Sequence, residues 1–224
     1  MLKQDDMNMV SNNMPFWEHL TDTQKELFLT NARTVHYTKG QSLLGDQDQC
    51  LGLLFIKKGV LRTYITSDEG REITLYRLED QDICILSASC VLKTIDFDVF
   101  IDAETDCDVL QLGSAVLSRI MSDNVYVELF SYKLTTERFS DVMWAMQQIL
   151  FTSFDKRLAS FLLEESARGK SDSIRMTHEQ IAKYIGSARE VVSRMLKYFA
   201  EEGYITLARG GITIIDKKGL KAVL

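Results

Sequence analysis

The sequence predicts an α+β protein in which an antiparallel β-barrel comes first, one long helix follows, and a helical domain with a small β-hairpin ends the chain. Two changes of pattern predict this order. Between residues 33 and 112, apolar residues alternate with polar ones and turn residues recur about every 8–12 positions, as in antiparallel barrels and jelly rolls. After residue 113, apolar residues recur at steps of three and four, which is the spacing of amphipathic helices.

The composition is that of a globular chain with room for two domains. Apolar residues make up 46% and charged residues 26% of the 224 positions, and chains of this length commonly divide into two modest domains. No apolar run reaches the roughly 18 residues that a membrane-spanning helix needs, and the polar start lacks the pattern of a signal peptide. We therefore expect a cytoplasmic protein without a membrane partner.

The two ends of the chain carry opposite charge. From residue 151 onward there are 13 Lys and Arg against 9 Asp and Glu, a net charge of +4, whereas residues 1–150 carry 13 against 23, a net charge of −10. A basic segment joined to an acidic one favours a phosphate-binding end and an end with another task. We divide the chain into a barrel domain at residues 1–123, a long helix at 124–150 and a C-terminal domain at 151–224.

Helix signals flank the barrel on both sides. Residues 1–14 are polar and rich in methionine, so we expect poor order there. A short helix is predicted from Thr21 to Asn31, with Leu27 and Phe28 pointing inward. After the strands, another short helix is predicted from Ser114 to Met121.

The long helix, predicted from Asn124 to Leu150, carries an apolar stripe. Its members recur at steps of three and four residues and are Phe139, Val142, Met146 and Ile149, with Met143 and Leu150 beside them. A stripe of this length favours pairing with a partner helix across a two-fold axis. The alternative is that it packs only on the barrel of its own chain. We interpret Phe151–Asp155 as a hinge, and a further helix is predicted from Asp155 to Arg168.

A helix-turn-helix is predicted in the C-terminal domain. Thr177 is a natural N-cap and Gln180 completes a capping box, so a short helix begins here and ends at Gly186. Ser187 is predicted to cap a second helix. The apolar face of this second helix consists of Val191, Met195, Leu196 and Phe199, and its polar face consists of Arg189, Glu190, Ser193 and Arg194. A β-hairpin around Arg209–Gly211 follows as a wing.

This segment resembles the DNA-binding domain of the Crp/Fnr family of bacterial transcription regulators. The shared pattern is G-x-x-R-E-x-V-x-R, which is formed here by Gly186, Arg189, Glu190, Val192 and Arg194. The resemblance extends over residues 15–224 and implies an N-terminal double-stranded β-helix (jelly roll) of the cyclic-nucleotide-binding type, a dimerisation helix and a C-terminal winged helix-turn-helix domain. It implies a homodimer that binds double-stranded DNA at an inverted repeat with a GA-containing core, such as TGTGA or TTGAT, and that contacts RNA polymerase.

The resemblance places Arg189, Glu190 and Arg194 at the base-reading positions, with Ser193 beside them. Their chemistry suits this role, because arginine binds guanine through O6 and N7 and glutamate accepts from cytosine N4. Arg194 is expected to hold Glu190 in position. Contacts to phosphate groups are predicted at Thr177, His178, Ser187 and Lys197. The alternative is an ordinary solvated helix face whose charges pair at i, i+4.

The effector is not determined by the sequence. Where cyclic-AMP-binding members of this family have Gly-Glu-Leu, the chain reads DICILSASCVL, and Phe97 and Asp98 stand where an Arg-Ser or Arg-Thr pair binds the cyclic phosphate. An aspartate repels a phosphate, so cyclic AMP is not the expected effector. Candidate effector-pocket residues are Cys84, Ser87, Ser89, Cys90, Phe97 and Asp98. An unknown small-molecule or redox effector and buried structural cysteines both stay open.

No enzyme activity, catalytic residue, cofactor or metal site is predicted. The iron–sulfur branch of the family has a cysteine cluster near the N-terminus, whereas the first cysteine here is Cys50. One alternative is a cupin-like metal enzyme with an appended DNA-binding domain, but such a site needs clustered histidines and the strand region has only His36. Another alternative is an effector-independent regulator whose barrel serves as a scaffold for the dimer.

Overall fold

The described part of the chain folds as two compact units. The computed structural model describes residues 4–44, 50–85, 87 and 99–224. The first unit runs to Ile65 and continues from Leu75 to Val142, and the second consists of Thr66–Thr74 and Met143–Leu224. Among the described helices, none is both long and apolar enough to cross a membrane.

The described residues before the barrel form α1 (Gln4–Asn13), a 3-10 helix (Trp17–His19) and α2 (Asp22–Asn31). The expectation of poor order before residue 15 is wrong for the described residues, because Val10 and Met14 are fully buried in one core cluster with Phe28. The cause is an amphipathic pattern in which apolar side chains alternate with polar ones at helical spacing. The predicted second helix is confirmed, and Thr21 and Gln24 form a capping box at its start.

Eight strands of the described residues form two four-stranded sheets of antiparallel pairs. One sheet has the order β1-β8-β3-β6 and the other has the order β2-β7-β4-β5. The strands are β1 (Arg33–Tyr37), β2 (Ser42–Leu44), β3 (Leu53–Lys58), β4 (Leu61–Thr66), β5 (Glu72–Leu78), β6 (Ile83–Cys84), β7 (Phe100–Ala103) and β8 (Cys107–Leu112). The predicted antiparallel jelly-roll barrel is therefore confirmed.

Both faces of β3 are buried, which explains its continuous apolar run. Leu53 and Phe55 join the core cluster that contains Phe28, whereas Leu54 and Ile56 join the cluster between the two sheets. Full burial of a side chain of this size contributes about 1.5–3 kcal/mol. β3 is therefore the strand that joins the N-terminal helices to the interior of the barrel.

Two helices follow the barrel: α3 (Ser114–Asp123) and α4 (Val125–Phe151). Their bounds agree with the predicted helices within two residues. Asn124 separates them, and its side-chain oxygen accepts from the backbone N–H of Tyr126 at 3.0 Å. Its amide group donates to the carbonyl of His19 at 2.9 Å, so this residue both starts α4 and fixes the N-terminal segment against it.

The second unit contains a three-stranded sheet and four helices besides the end of α4. The elements are α5 (Phe154–Arg168), β9 (Ser173–Ile174), α6 (His178–Ile185), α7 (Arg189–Glu201), β10 (Ile205–Ala208), β11 (Gly211–Ile214) and α8 (Lys217–Val223). The strand order is β10-β11-β9. The predicted wing is confirmed as the β10–β11 hairpin, while β9 and α8 are additions that the sequence pattern did not indicate. Leu158, Ile181, Leu196 and Ile212 meet in one core cluster.

Candidate nucleic-acid interface

The N-terminus of α6 is fixed by the predicted capping box. The Thr177 hydroxyl accepts from the backbone N–H of Gln180 at 3.1 Å, and the Gln180 side chain accepts from the backbone N–H of Thr177 at 2.8 Å. Two backbone donors that the helix leaves unpaired are thereby satisfied. Ile181 and Ile185 bury the opposite face of α6, so the helix is held both at its end and along its side.

The turn between α6 and α7 depends on Gly186. Its φ of +61° lies in the left-handed region, which side chains with a Cβ rarely adopt. The prediction that Ser187 caps α7 is wrong: α7 begins at Arg189, and its N-cap residue is Ala188, whose side chain makes no capping hydrogen bond. The reason is that Ser187 still belongs to the end of α6, since its backbone N–H donates to the carbonyl of Ala182 at 3.0 Å.

The buried face of α7 consists of Val192, Leu196 and Phe199, each fully buried. Leu196 and Phe199 were predicted, but Val191 and Met195 are only half-buried. Val192, Leu196 and Phe199 lie on one helix face, since they follow one another at steps of four and three residues, and all three join the core cluster that contains Ile181 of α6. The polar face consequently points away from the core.

Four residues form what we call the reading face: Arg189, Glu190, Ser193 and Arg194. Three of them are exposed and Ser193 is half-exposed. The expected contact between Glu190 and Arg194 is not present, since in the described part of the chain no ion pair or hydrogen bond involves either side chain. Both groups are therefore available to an external partner, and arginine and glutamate both match donor and acceptor groups of the major groove.

The residues predicted to contact DNA phosphates lie at the ends of α6 and on α7. Thr177 is exposed and His178, the first residue of α6, is half-exposed; a helix N-terminus favours anions. Ser187 is half-exposed in the turn. Lys197 is exposed and lies 3.8 Å from Glu201, one turn along α7.

The wing presents one cation that the sequence analysis did not single out. Ala208 pairs with Gly211, so Arg209 and Gly210 form a two-residue hairpin loop, and Gly210 has a φ of +77°. Arg209 is exposed at the tip. An arginine directly before a Gly-Gly pair between two β-branched runs is the sequence signal that marks it.

The outward face of α4 differs from the predicted stripe. Val142 is half-buried against the barrel core and Ile149 is half-buried near Gly186, so these two belong to the side that packs on its own chain. The exposed face is a heptad pattern over seven turns, which we call the α4 seam. Its members are Val125, Leu129, Tyr132, Thr136, Phe139, Met143, Met146 and Leu150.

Of the predicted effector-pocket residues, the structure describes Cys84 and Ser87. Both are fully buried, and the Ser87 hydroxyl donates to backbone carbonyls, with Gly52 at 2.6 Å and Cys84 at 3.0 Å. Ser87 therefore satisfies backbone groups in this state. Cys84 carries a reduced thiol and Cys50 is disulfide-bonded. Ser89, Cys90, Phe97 and Asp98 lie outside the described residues.

A cluster of polar side chains that the sequence analysis missed lies between β4, β5 and α4 and consists of Thr63, Tyr76 and Arg138. The Arg138 guanidinium lies 5.1 Å from the centre of the Tyr76 ring and donates to Asp141 at 2.8 Å. The Tyr76 and Thr63 hydroxyls are buried, and neither has a hydrogen-bond partner among the described residues. Burial raises the pKa of Tyr76 well above its usual value, with Cys84 adding to the shift. Such groups can hydrogen-bond a buried polar ligand.

Comparison with known proteins identifies both parts of the chain. Residues 34–124 match the family described as the cyclic nucleotide-binding domain, and residues 156–223 match the Crp-like helix-turn-helix domain. A crystal structure from Eubacterium rectale, assigned to the Crp/Fnr family of transcriptional regulators, is 48% identical with a TM-score of 0.92 and covers 95% of this chain and 98% of its own.

Curated relatives are more distant. The nitrogen fixation regulation protein FixK of Bradyrhizobium diazoefficiens is 25% identical over 86% of this chain and 82% of that protein. The cAMP-activated global transcriptional regulator CRP of Salmonella typhimurium is 22% identical over 83% of this chain and 91% of that protein. These relatives are transcription regulators, and the similarity extends over both the barrel and the helix-turn-helix.

Proposed function

The chain belongs to the Crp/Fnr family of transcription regulators, and we propose that it binds an inverted-repeat operator as a homodimer, in the cytoplasm, under the control of an effector other than cyclic AMP. In this proposal residues 1–123 sense the effector, residues 124–150 form the dimerisation helix and residues 151–224 bind DNA. The observation that carries the proposal is the reading face: the first helix of the pair is capped, both helices are buried on one side, and Arg189, Glu190 and Arg194 are exposed and have no partner among the described residues.

Major-groove recognition accounts for the composition of the reading face. An α-helix fits the major groove, and bidentate arginine–guanine contacts contribute about 1–3 kcal/mol of discrimination each. Arg189 and Arg194 supply two such donors, and Glu190 supplies an acceptor for cytosine N4. A half-site with a GA-containing core offers matching groups. Thr177, His178, Ser187 and Lys197 are proposed to fix the register through phosphate contacts.

The α4 seam supports a parallel homodimer. Its exposed residues alternate between the a and d positions of a heptad, the pattern of a two-stranded coiled coil. Glu128 then falls at a g position and Lys133 at the following e position, and in a parallel pair in register these face each other across the interface. Within the described residues neither side chain forms an ion pair. A two-fold dimer matches the symmetry of an inverted repeat.

The proposal that the effector is not cyclic AMP rests on the absence from the barrel sequence of the residues that bind this ligand in related proteins. The chain has no Gly-Glu pair and places Asp98 where a cyclic phosphate would need a cation. A small molecule or a redox change at the cysteines is the proposed signal, and an effector-independent scaffold is the alternative. The cupin-like enzyme is disfavoured, because the relatives are regulators.

Selection of bound duplexes from a random DNA pool tests the proposal. The purified protein is used with and without reductant, and with a metabolite panel that includes cyclic AMP. The expected product is an inverted repeat with a GA-containing core, and dependence on one additive identifies the class of signal. Enrichment of no motif would contradict sequence-specific binding, and enrichment only with cyclic AMP would overturn the effector assignment. RNA polymerase recruitment is then tested on the selected site.

A further inference from the structure

The hairpin that joins β4 to β5 belongs to the same compact unit as the helix-turn-helix. Thr66–Thr74 groups with Met143–Leu224, while the remaining residues of both strands belong to the first unit. The turn itself is closed by its own backbone: the N–H of Ser67 donates to the carbonyl of Arg71 at 2.9 Å. Its outgoing residues Glu72, Ile73 and Thr74 are the ones that contact α6 and the following turn.

The first contact is an ion pair between Glu72 and Lys183. The Lys183 ammonium donates to the Glu72 carboxylate at 2.6 Å. The carboxylate side chain is 16% exposed and the lysine side chain 39% exposed, so this pair is better shielded than an ordinary surface pair. Shielding strengthens the attraction and increases the penalty for removing one partner.

The second contact is a hydrogen bond to a backbone carbonyl at the C-terminal end of α6. The last four backbone carbonyls of a helix accept no hydrogen bond from within the helix, so they need donors from elsewhere. The Thr74 hydroxyl donates to the carbonyl of Lys183 at 3.2 Å, and the Arg157 guanidinium donates to the carbonyl of Ile185 at 2.8 Å. The hairpin and α5 therefore cap the same helix end from outside the helix-turn-helix.

The third contact lies at the turn glycine. A Cβ built on Gly186 would lie 3.5 Å from the Ile73 side chain and 3.2 Å from the Ile149 side chain. These two side chains enclose the position at which α6 gives way to α7. Three consecutive hairpin residues thus hold the last turn of α6 and the turn that sets the direction of α7.

From these contacts we propose that Glu72 is a positioning residue for DNA recognition: through Lys183 it orients α6, and thereby the reading face on α7. The ion pair should favour DNA binding and not oppose it, because Arg189, Glu190 and Arg194 are exposed in the structure in which the Glu72–Lys183 pair is formed. The hairpin therefore holds the reading face without covering it. The inference rests on the proposed function in one respect, since its readout is operator binding.

The test is a double-mutant cycle of Glu72→Gln, Lys183→Gln and the double variant in the full-length protein. Binding is measured on a TTGAT inverted-repeat duplex, or on the duplex selected above, and on a scrambled duplex. Glu72→Gln should weaken operator binding by about 10-fold, the size of one lost charge-assisted hydrogen bond, with little change on scrambled DNA. The second substitution should add little to the first, since both remove one contact.

The matched control is Glu69→Gln. Glu69 lies in the same hairpin and pairs with Arg71 at 3.3 Å, but both side chains are about three-quarters exposed, so operator binding should be unchanged. Melting temperatures separate positioning from folding: a merely structural pair would change stability and leave the ratio of operator to scrambled affinity constant.

Besides a changed stability with a constant affinity ratio, two further results would overturn the inference. Tighter binding of both duplexes by Glu72→Gln would show that Glu72 screens Lys183 from DNA. A Glu72→Gln variant equal to the wild type, with wild-type discrimination intact, would show that the pair has no role in recognition. If the wild type itself fails to discriminate between the duplexes, the proposed function fails instead, so the two failures are distinguishable.

Discussion

Helices α4 and α7 each leave one face uncovered, and the two faces are chemically opposite. On α7 the uncovered side carries Arg189, Glu190 and Arg194, whereas on α4 it carries aromatic and aliphatic side chains such as Phe139, which is 63% exposed, and Leu150, which is 65% exposed. An apolar stripe of this length is unfavourable in water and needs another apolar surface. A polar stripe that is stable in water can exchange its waters for the polar groups of DNA.

The covered face of α7 is where a single substitution should have the largest effect. Leu196→Ala removes a fully buried side chain from the core cluster of the second unit and should lower the free energy of unfolding by about 2–5 kcal/mol. Denaturant unfolding measures it. Leu207→Ala is the matched control, because Leu207 is exposed on β10 and its loss should change stability by less than about 0.5 kcal/mol.

The apolar face of α4 is tested by Phe139→Glu. A carboxylate at the centre of a helix pair loses its hydration, so the dimer dissociation constant should rise by at least about 100-fold while the monomer stays folded. Sedimentation equilibrium measures it. Trp144→Glu serves as the control, since Trp144 is also an exposed large apolar side chain but lies one position off the α4 seam. Equal dissociation of both variants would mean that the seam is wrongly placed.

The polar face of α7 is tested by Arg194→Ala. Loss of one bidentate base contact should reduce operator affinity by about 1–3 kcal/mol without changing the dimer or the melting temperature. Competition binding against scrambled DNA measures it. Arg168→Ala in the last turn of α5 removes an arginine of the same unit outside the reading face and should leave discrimination intact. Unchanged discrimination by the Arg194 variant would instead identify the reading face as ordinary solvated surface.

The edge of the α4 seam should give the smallest effect. In a parallel pair, Glu128→Lys places a lysine opposite Lys133 of the other chain, and this repulsion should weaken the dimer by about 0.2–1 kcal/mol. The double exchange of Glu128→Lys with Lys133→Glu should restore it, and added salt should reduce the difference. Failure of the double exchange to recover dimerisation argues for an antiparallel or shifted pairing of the two helices.

Local signals made α6 and α7 predictable from the sequence. The capping box of Thr177 and Gln180 and the left-handed turn at Gly186 depend on residues within one turn of the chain, and both were predicted. Ser187 was wrongly assigned as the N-cap of α7, because its backbone N–H completes the C-terminal turn of α6. Residue type alone does not show whether a serine after a glycine ends one helix or caps the next. Val192 was missed from the buried face because it is adjacent to Val191, and residue type does not show which of two adjacent valines faces the core.

Tertiary packing determines which apolar face of α4 is buried, and the sequence could not show this. Two apolar stripes run along this helix at the same three-and-four spacing, one through Val142 and Ile149 and one through Phe139 and Met146. Periodicity alone cannot tell which stripe the barrel covers. Val10 and Met14 present the same difficulty, because a polar, methionine-rich start is typical of a frayed terminus until a core is available to bury its apolar side. Tyr76 was missed because it occupies an apolar position of a strand pattern.

The most direct measurement compares the wild type and Phe139→Glu on two duplexes, one with a single half-site and one with the inverted repeat. If α7 reads the base sequence and α4 supplies the symmetry, the wild type binds the inverted repeat with two chains and much more tightly than the half-site. The Phe139→Glu variant should then bind the half-site as the free monomer does and lose the gain on the inverted repeat. Equal gains for both proteins would contradict this division of roles between the two helices.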